Sequence, residues 1–121
     1  MGDDGKRNEL RTLSAKVVKA VSWAEFGEVA IFMTENIREK AVRQLDDQYK
    51  SVKIKEVKET NLDFDDEVLN AYQVLEIEGF SAPSYVVQTE LTQFKWTFSP
   101  STGGWKITDI KFAATDSSFT K

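Results

Sequence analysis

The chain has no cysteine and no histidine among its 121 residues. The first absence excludes disulfides, thiol nucleophiles and thiolate metal sites. The second removes the imidazole base and the ordinary zinc ligand. No metal, cofactor or catalytic residue is therefore assigned from the sequence. No apolar run approaches the roughly 18 residues of a membrane-spanning helix, and no signal-peptide pattern opens the chain. Basic residues are missing locally as well. Asn61–Phe94 carry seven acids (Asp63, Asp65, Asp66, Glu67, Glu76, Glu78, Glu90) and no Lys or Arg, whereas the residues through Thr60 hold 12 basic against 11 acidic ones. The net charge of −4 has the wrong sign for neutralising phosphates, so no nucleic-acid partner is expected.

What is present is an ordinary globular composition, 40% hydrophobic and 30% charged, in a length that suits one domain. The polar opening from Met1 to Asn8 reads as a flexible lead-in over residues 1–7. It is compatible with a natural start or with trimming just after an export signal or lipid-attachment Cys. The compartment stays open between cell envelope or periplasm and cytoplasm.

The first half reads helical. Leu10, Leu13, Val17, Ala20 and Val21 share one face at steps of three and four. Ser22-Trp23-Ala24-Glu25 has the form of a capping box, which predicts a break near Val21 and a second helix from Trp23 with Phe26, Val29, Ala30 and Met33 inward. A third helix is predicted from Glu35 to about Tyr49, with Ile37, Ala41, Leu45 and Tyr49 at steps of four and Thr34 as its cap.

The second half reads as strands. A short alternation begins at Val52 and slips at Val57. Val68–Ile77 alternates, with Leu69, Ala71, Leu75 and Ile77 on one face and Val68, Tyr72 and Val74 on the other. Tyr85–Phe98 is β-branched and aromatic, and Trp105–Phe112 closes the set after the hairpin loop Ser99–Gly104. Trp105 and Ile107 point one way by period two, while Ile110 and Phe112 follow the other register. Such slips in long strands predict β-bulges and a strongly bent sheet. The expected architecture is α+β, with N-terminal helices packed into a curved antiparallel β-meander over residues 8–113. Residues 114–121 are expected to form a flexible tail. Asp63-Phe64-Asp65-Asp66-Glu67 superficially follows a calcium loop, but it lacks the sixth-position Gly and twelfth-position Glu and reads as a turn.

Three stretches together resemble the nuclear-transport-factor-2-like superfamily, the cystatin-like α+β cone. They are Val21–Met33 after the first helix, the strand ending Phe94-Lys95-Trp96-Thr97-Phe98, and the final Gly103-Gly104-Trp105-Lys106-Ile107-Thr108-Asp109-Ile110. The resemblance implies a concave interior, for which Trp23, Phe26, Phe32, Tyr72 and Trp96 are the candidate lining around a small apolar ligand. It divides into enzymes, ligand binders and interaction modules, and fold alone does not choose among them. With no His, a non-enzymatic ligand-binding or protein-interaction module is expected. The alternative is a His-free lyase or isomerase with a carboxylate base such as Glu90 or Asp109, and Tyr72 as a donor. Apolar residues on both faces of Val68–Ile77 also predict a weak, salt-favoured homodimer through the outer sheet face, with Glu76 and Glu78 at its rim.

Overall fold

The computed structural model describes residues 2–114. Three helices, α1 (Asp3–Ser22), α2 (Phe26–Val29) and α3 (Glu35–Tyr49), precede four strands, β1 (Lys53–Phe64), β2 (Asn70–Phe80), β3 (Gln88–Ser99) and β4 (Gly104–Ala114). Short 3₁₀ turns follow α2 at Ala30–Phe32 and β3 at Pro100–Thr102. The strands form an open antiparallel sheet in the order β1-β2-β3-β4. The class is α+β, as expected.

Helix α1 begins earlier than its composition suggested. Asp3 and Asp4 sit in its first turn, where acids complement the helix dipole, and pair with Lys6 and Arg7 at 3.4 and 3.6 Å. The lead-in expected to be flexible is thus helical from Asp3. Most of the expected tail lies outside the described residues; Ala114 itself ends β4.

The capping box does not form. The Ser22 hydroxyl donates back to Val18 O at 2.8 Å, and α2 starts only after Glu25, which makes no side-chain cap. The same residues terminate α1 instead. Ala24 N–H donates to Val21 O and Glu25 N–H to Ala20 O, both at 2.9 Å, with Ala24 in the left-handed region at φ 55°. That is a Schellman closure with alanine where glycine is the usual choice. Helix α3 runs from Glu35 to Tyr49 as the periodicity predicts, although Thr34 caps it without a side-chain bond.

Register slips appear where the alternation failed. Lys55 and Thr60 are extra residues in β1, and Thr108 is an extra residue in β4 opposite the Lys95–Trp96 step. The Thr108 bulge lets Trp105 and Ile107 face inward on one side of it and Ile110 and Phe112 on the other. Gly79 belongs to β2, where a Cβ would meet Val52 Cγ1 at 2.6 Å and Lys53 O at 2.7 Å; only glycine admits the crossing of β1 there.

The turn between β1 and β2 lies at Asp65–Leu69, slightly later than expected. Asp65 Oδ1 accepts from the N–H groups of Leu69 (2.8 Å) and Asn70 (3.1 Å), and Oδ2 accepts from the Asn70 side chain (2.9 Å). Partial burial pushes this carboxyl up, but the bonds from Asn70, Leu69 and Val68 outweigh it and hold its pKa below the ordinary value. Val68 turns left-handed at φ 54° and points into the core, whereas Leu69 is exposed. The strand alternation therefore starts only at Asn70, and the expected placing of these two side chains is reversed.

The core lies between the helices and the inner sheet face. Leu10, Val17 and Val21 of α1, and Ala41, Leu45 and Tyr49 of α3, meet Ala71, Leu75 and Ile77 of β2 and Phe94 and Trp96 of β3 in one cluster. At one end Trp105 packs edge-on to Phe64 and Phe98, at ring distances of 6.0 and 5.4 Å. Its indole N–H donates to Lys6 O at 2.8 Å, which ties β4 to the first turns of α1. Thr34 N–H donates to Ile107 O at 3.0 Å, and Arg38 donates to Ala30 O and Met33 O, both at 3.1 Å. These bonds clamp the connector between α2 and α3 against the sheet.

Candidate functional site

The interior is filled by a polar node. Gln73, fully buried on the inward phase of β2, accepts the Trp96 indole N–H at 2.9 Å through Oε1. Its amide donates to Ser14 O of α1 at 3.1 Å and to Glu59 Oε1 of β1 at 2.9 Å. One side chain thus joins α1, β1, β2 and β3, and every buried side-chain polar atom described has a partner. A second node lies toward the open end of the sheet. The Tyr49 and Thr92 hydroxyls lie 2.8 Å apart, and the Gln48 amide donates to Glu90. Burial pushes the Tyr49 phenol up to about 12, against the lowering effect of its bond with Thr92 and with help from the nearby Glu90 charge.

The expected pocket lining does not converge. Phe32 and Trp96 are brought together, with ring centroids 6.1 Å apart. Phe26 is buried against Tyr49 at 6.0 Å. Trp23 projects into solvent, 71% exposed, at the corner between α1 and α2. Tyr72 lies on the outer sheet face, opposite Asp63 of β1 and Lys95 of β3. Trp96 is fully buried, with Gln73 bonded to its indole N–H and Phe32 beside its ring, and it lines none of the four spaces described next.

Four spaces lie elsewhere. A cavity of ≈ 30 Å³ sits among Tyr49, Val52, Ile77, Gly79, Phe80 and Glu90. An open depression of ≈ 250 Å³ lies over Gln48, Glu90, Phe112 and Ala113. Asp109 borders a shallow groove of ≈ 120 Å³ against α3. The largest of these four is a groove of ≈ 280 Å³ on the helical surface, lined by Lys16, Lys19 and Ala20 of α1, by Glu25 and Glu28 at the start of α2, and by Ile31 and Phe32 of the turn after it. No three acids are grouped to hold a metal ion among the described residues. No described helix is long and apolar enough to cross a membrane.

The outer sheet face is mixed. Val68 is absent from it, and Tyr72 and Val74 are interspersed with Glu76, Glu78, Lys58 and Lys95. The continuous apolar face that the dimer expectation required is not there.

No family model matches the chain, and no curated protein matches it. Among solved structures it is similar to the intermembrane-space region of the chloroplast protein ARC6, at a TM-score of 0.55 and 14% identity over 89% of this chain and 96% of that one. At that identity the likeness concerns the fold.

Proposed function

We propose that the chain is a non-enzymatic interaction module that works through its surface. The observation behind this reading is the filled interior: Trp96, Gln73 and Phe32 close the space that a concave fold would offer a ligand. The cavity beside Tyr49, ≈ 30 Å³, has room for about one water, whereas small-molecule sites run to roughly 300–1,000 Å³. The lyase or isomerase alternative fares less well. Glu90 borders an open depression and Asp109 a shallow groove, but Tyr72, the donor that chemistry would need, lines neither and lies on the outer sheet face. A nuclear-transport-factor-2-like identity belongs to the same reading. Its support is the order of helices before meander, together with the bulge at Thr108.

Two measurements test the function. The three indole N–H groups give separate proton–nitrogen resonances. A panel of small apolar ligands is expected to leave those of Trp96 and Trp105 in place; a saturable shift at Trp96 overturns the reading. A photo-crosslinking residue at position 23 is expected to give discrete protein adducts in the cells that make the chain, and complete absence of adducts also overturns it.

A further inference from the structure

The groove between α1 and α2 carries opposite charges on its two walls, and neither wall satisfies the other. Lys16 and Lys19 stand on one side, Glu25 and Glu28 on the other, and none of the four makes an ion pair within the chain among the described residues. Ile31, 58% exposed, and half-buried Phe32 complete its lining; Trp23, 71% exposed, lies outside that lining on the connection from α1 to α2. An apolar floor with unpaired charges at its margins is the make-up of a protein contact rather than of a solvated face.

The arrangement also specifies a partner. In a two-fold dimer each surface meets its own image, reflected across the axis that lies in the interface. When that axis runs along the groove, the lysine wall of one copy faces the glutamate wall of the other, twice over. The exposed Ile31 of each copy then faces the axis between the two sets of charges, and Trp23 stands beside them on the corner that joins α1 to α2. A surface with one sign of charge would repel itself, whereas this one is complementary to itself. We propose that the groove is a self-association surface whose occupant is a second copy of this chain. The proposal rests on the interaction-module reading above and names the partner of that surface.

The salt dependence follows from the charges. Exposed pairs are screened by salt, so this dimer weakens as ionic strength rises. A dimer through the acidic sheet region would instead strengthen, because salt relieves like-charge repulsion.

The test is sedimentation velocity on the full chain from micromolar to millimolar concentration, at low and high salt. The wild-type chain should dimerise at low salt and bind itself at least about tenfold more weakly at high salt. The double variants Lys16→Glu/Lys19→Glu and Glu25→Lys/Glu28→Lys should each dimerise at least about tenfold more weakly, a loss of about 1.4 kcal/mol. Mixing the two variants should restore association, because an all-acidic groove then meets an all-basic one. Unchanged Trp96 and Trp105 indole resonances in each variant serve as the folding control. A monomer at every concentration overturns the proposal, as does a dimer indifferent to both reversals or a mixture that fails to associate. If the chain is monomeric while position 23 still crosslinks to other proteins, self-association fails and the interaction-module reading survives.

Discussion

Trp96 and Trp23 are the same residue type in opposite circumstances. Trp96 is fully buried, its N–H held by Gln73 and its ring near Phe32. Trp23 is 71% exposed, on a helix corner closed by backbone bonds from Trp23, Ala24 and Glu25. The inner sheet face is where stability is concentrated, and the helical corner is where apolar surface is left unused. That division is what the proposed interaction module needs: a core committed to packing and an exposed corner free to make contacts.

The largest expected effect is at the buried end of that comparison. Trp96→Ala removes a fully buried ring and strands Gln73 Oε1, and should cost about 3–5 kcal/mol in urea denaturation. That is enough to unfold many domains of this size. An unshifted midpoint would show that the interior is loose enough to relax around the hole. Gln73→Leu keeps the volume but leaves the Trp96 N–H and Glu59 Oε1 without this partner, and should cost about 1–3 kcal/mol. A neutral result would reduce the node to packing.

Next comes pH. Tyr49 titrates near 10 when unfolded and is pushed up to about 12 in the fold, chiefly by burial. Below pH 10 both states hold the proton and its contribution is fully present. Between 10 and 12 the unfolded chain ionises and the folded one does not, so stability falls as pH rises, by on the order of 2 kcal/mol. Tyr49→Phe should abolish that slope in denaturation curves recorded across this range. A slope that persists in Tyr49→Phe would assign it to another group.

The core half of the comparison was legible in the residues and the corner half was not. Period-two alternation from Ala71 to Ile77 already puts Gln73 on the inward phase, and the failed alternation around Thr108 already implies a bulge. Backbone periodicity is a strong signal because one face must leave water. The corner turned on a choice between two backbone patterns. Ser22-Trp23-Ala24-Glu25 satisfies the capping-box sequence, yet closure of α1 by Ala24 and Glu25 N–H groups won, with no glycine to announce it. Val68 misled for the same reason, since a β-branched residue at φ 54° is outside what propensity describes. The groove charges Lys16, Lys19, Glu25 and Glu28 come from separate elements, so only the packing of α2 on α1 brings them together.

That unannounced closure gives a prediction of opposite sign. Ala24 holds φ 55°, which an L-residue adopts at a cost and glycine does not. Ala24→Gly should stabilise the chain by about 0.5–1 kcal/mol, the relief at the corner exceeding the added freedom of the unfolded chain. Thermal denaturation decides it, and a lowered midpoint would mean that the corner is not left-handed in solution.

The smallest expected effect bears most directly on function. Trp23→Ala removes the largest exposed ring among the described residues, but that ring lines none of the four spaces and forms none of the close aromatic pairs that hold Trp96 and Trp105. The Trp23 backbone N–H still donates to Ala20 O, so the helix closure survives the substitution. Surface changes of this kind stay within about 0.5 kcal/mol, and the urea midpoint should hardly move. Self-association should nevertheless weaken by about tenfold or more, because an exposed ring of this size beside a small contact supplies much of the apolar area that association would bury. The two measurements together separate the regions of the molecule. A substitution at Trp96 should change stability first, and one at Trp23 should change association alone. Should Trp23→Ala destabilise the monomer by more than about 1 kcal/mol, the corner would belong to the core after all, and the surface reading of the groove would fall with it.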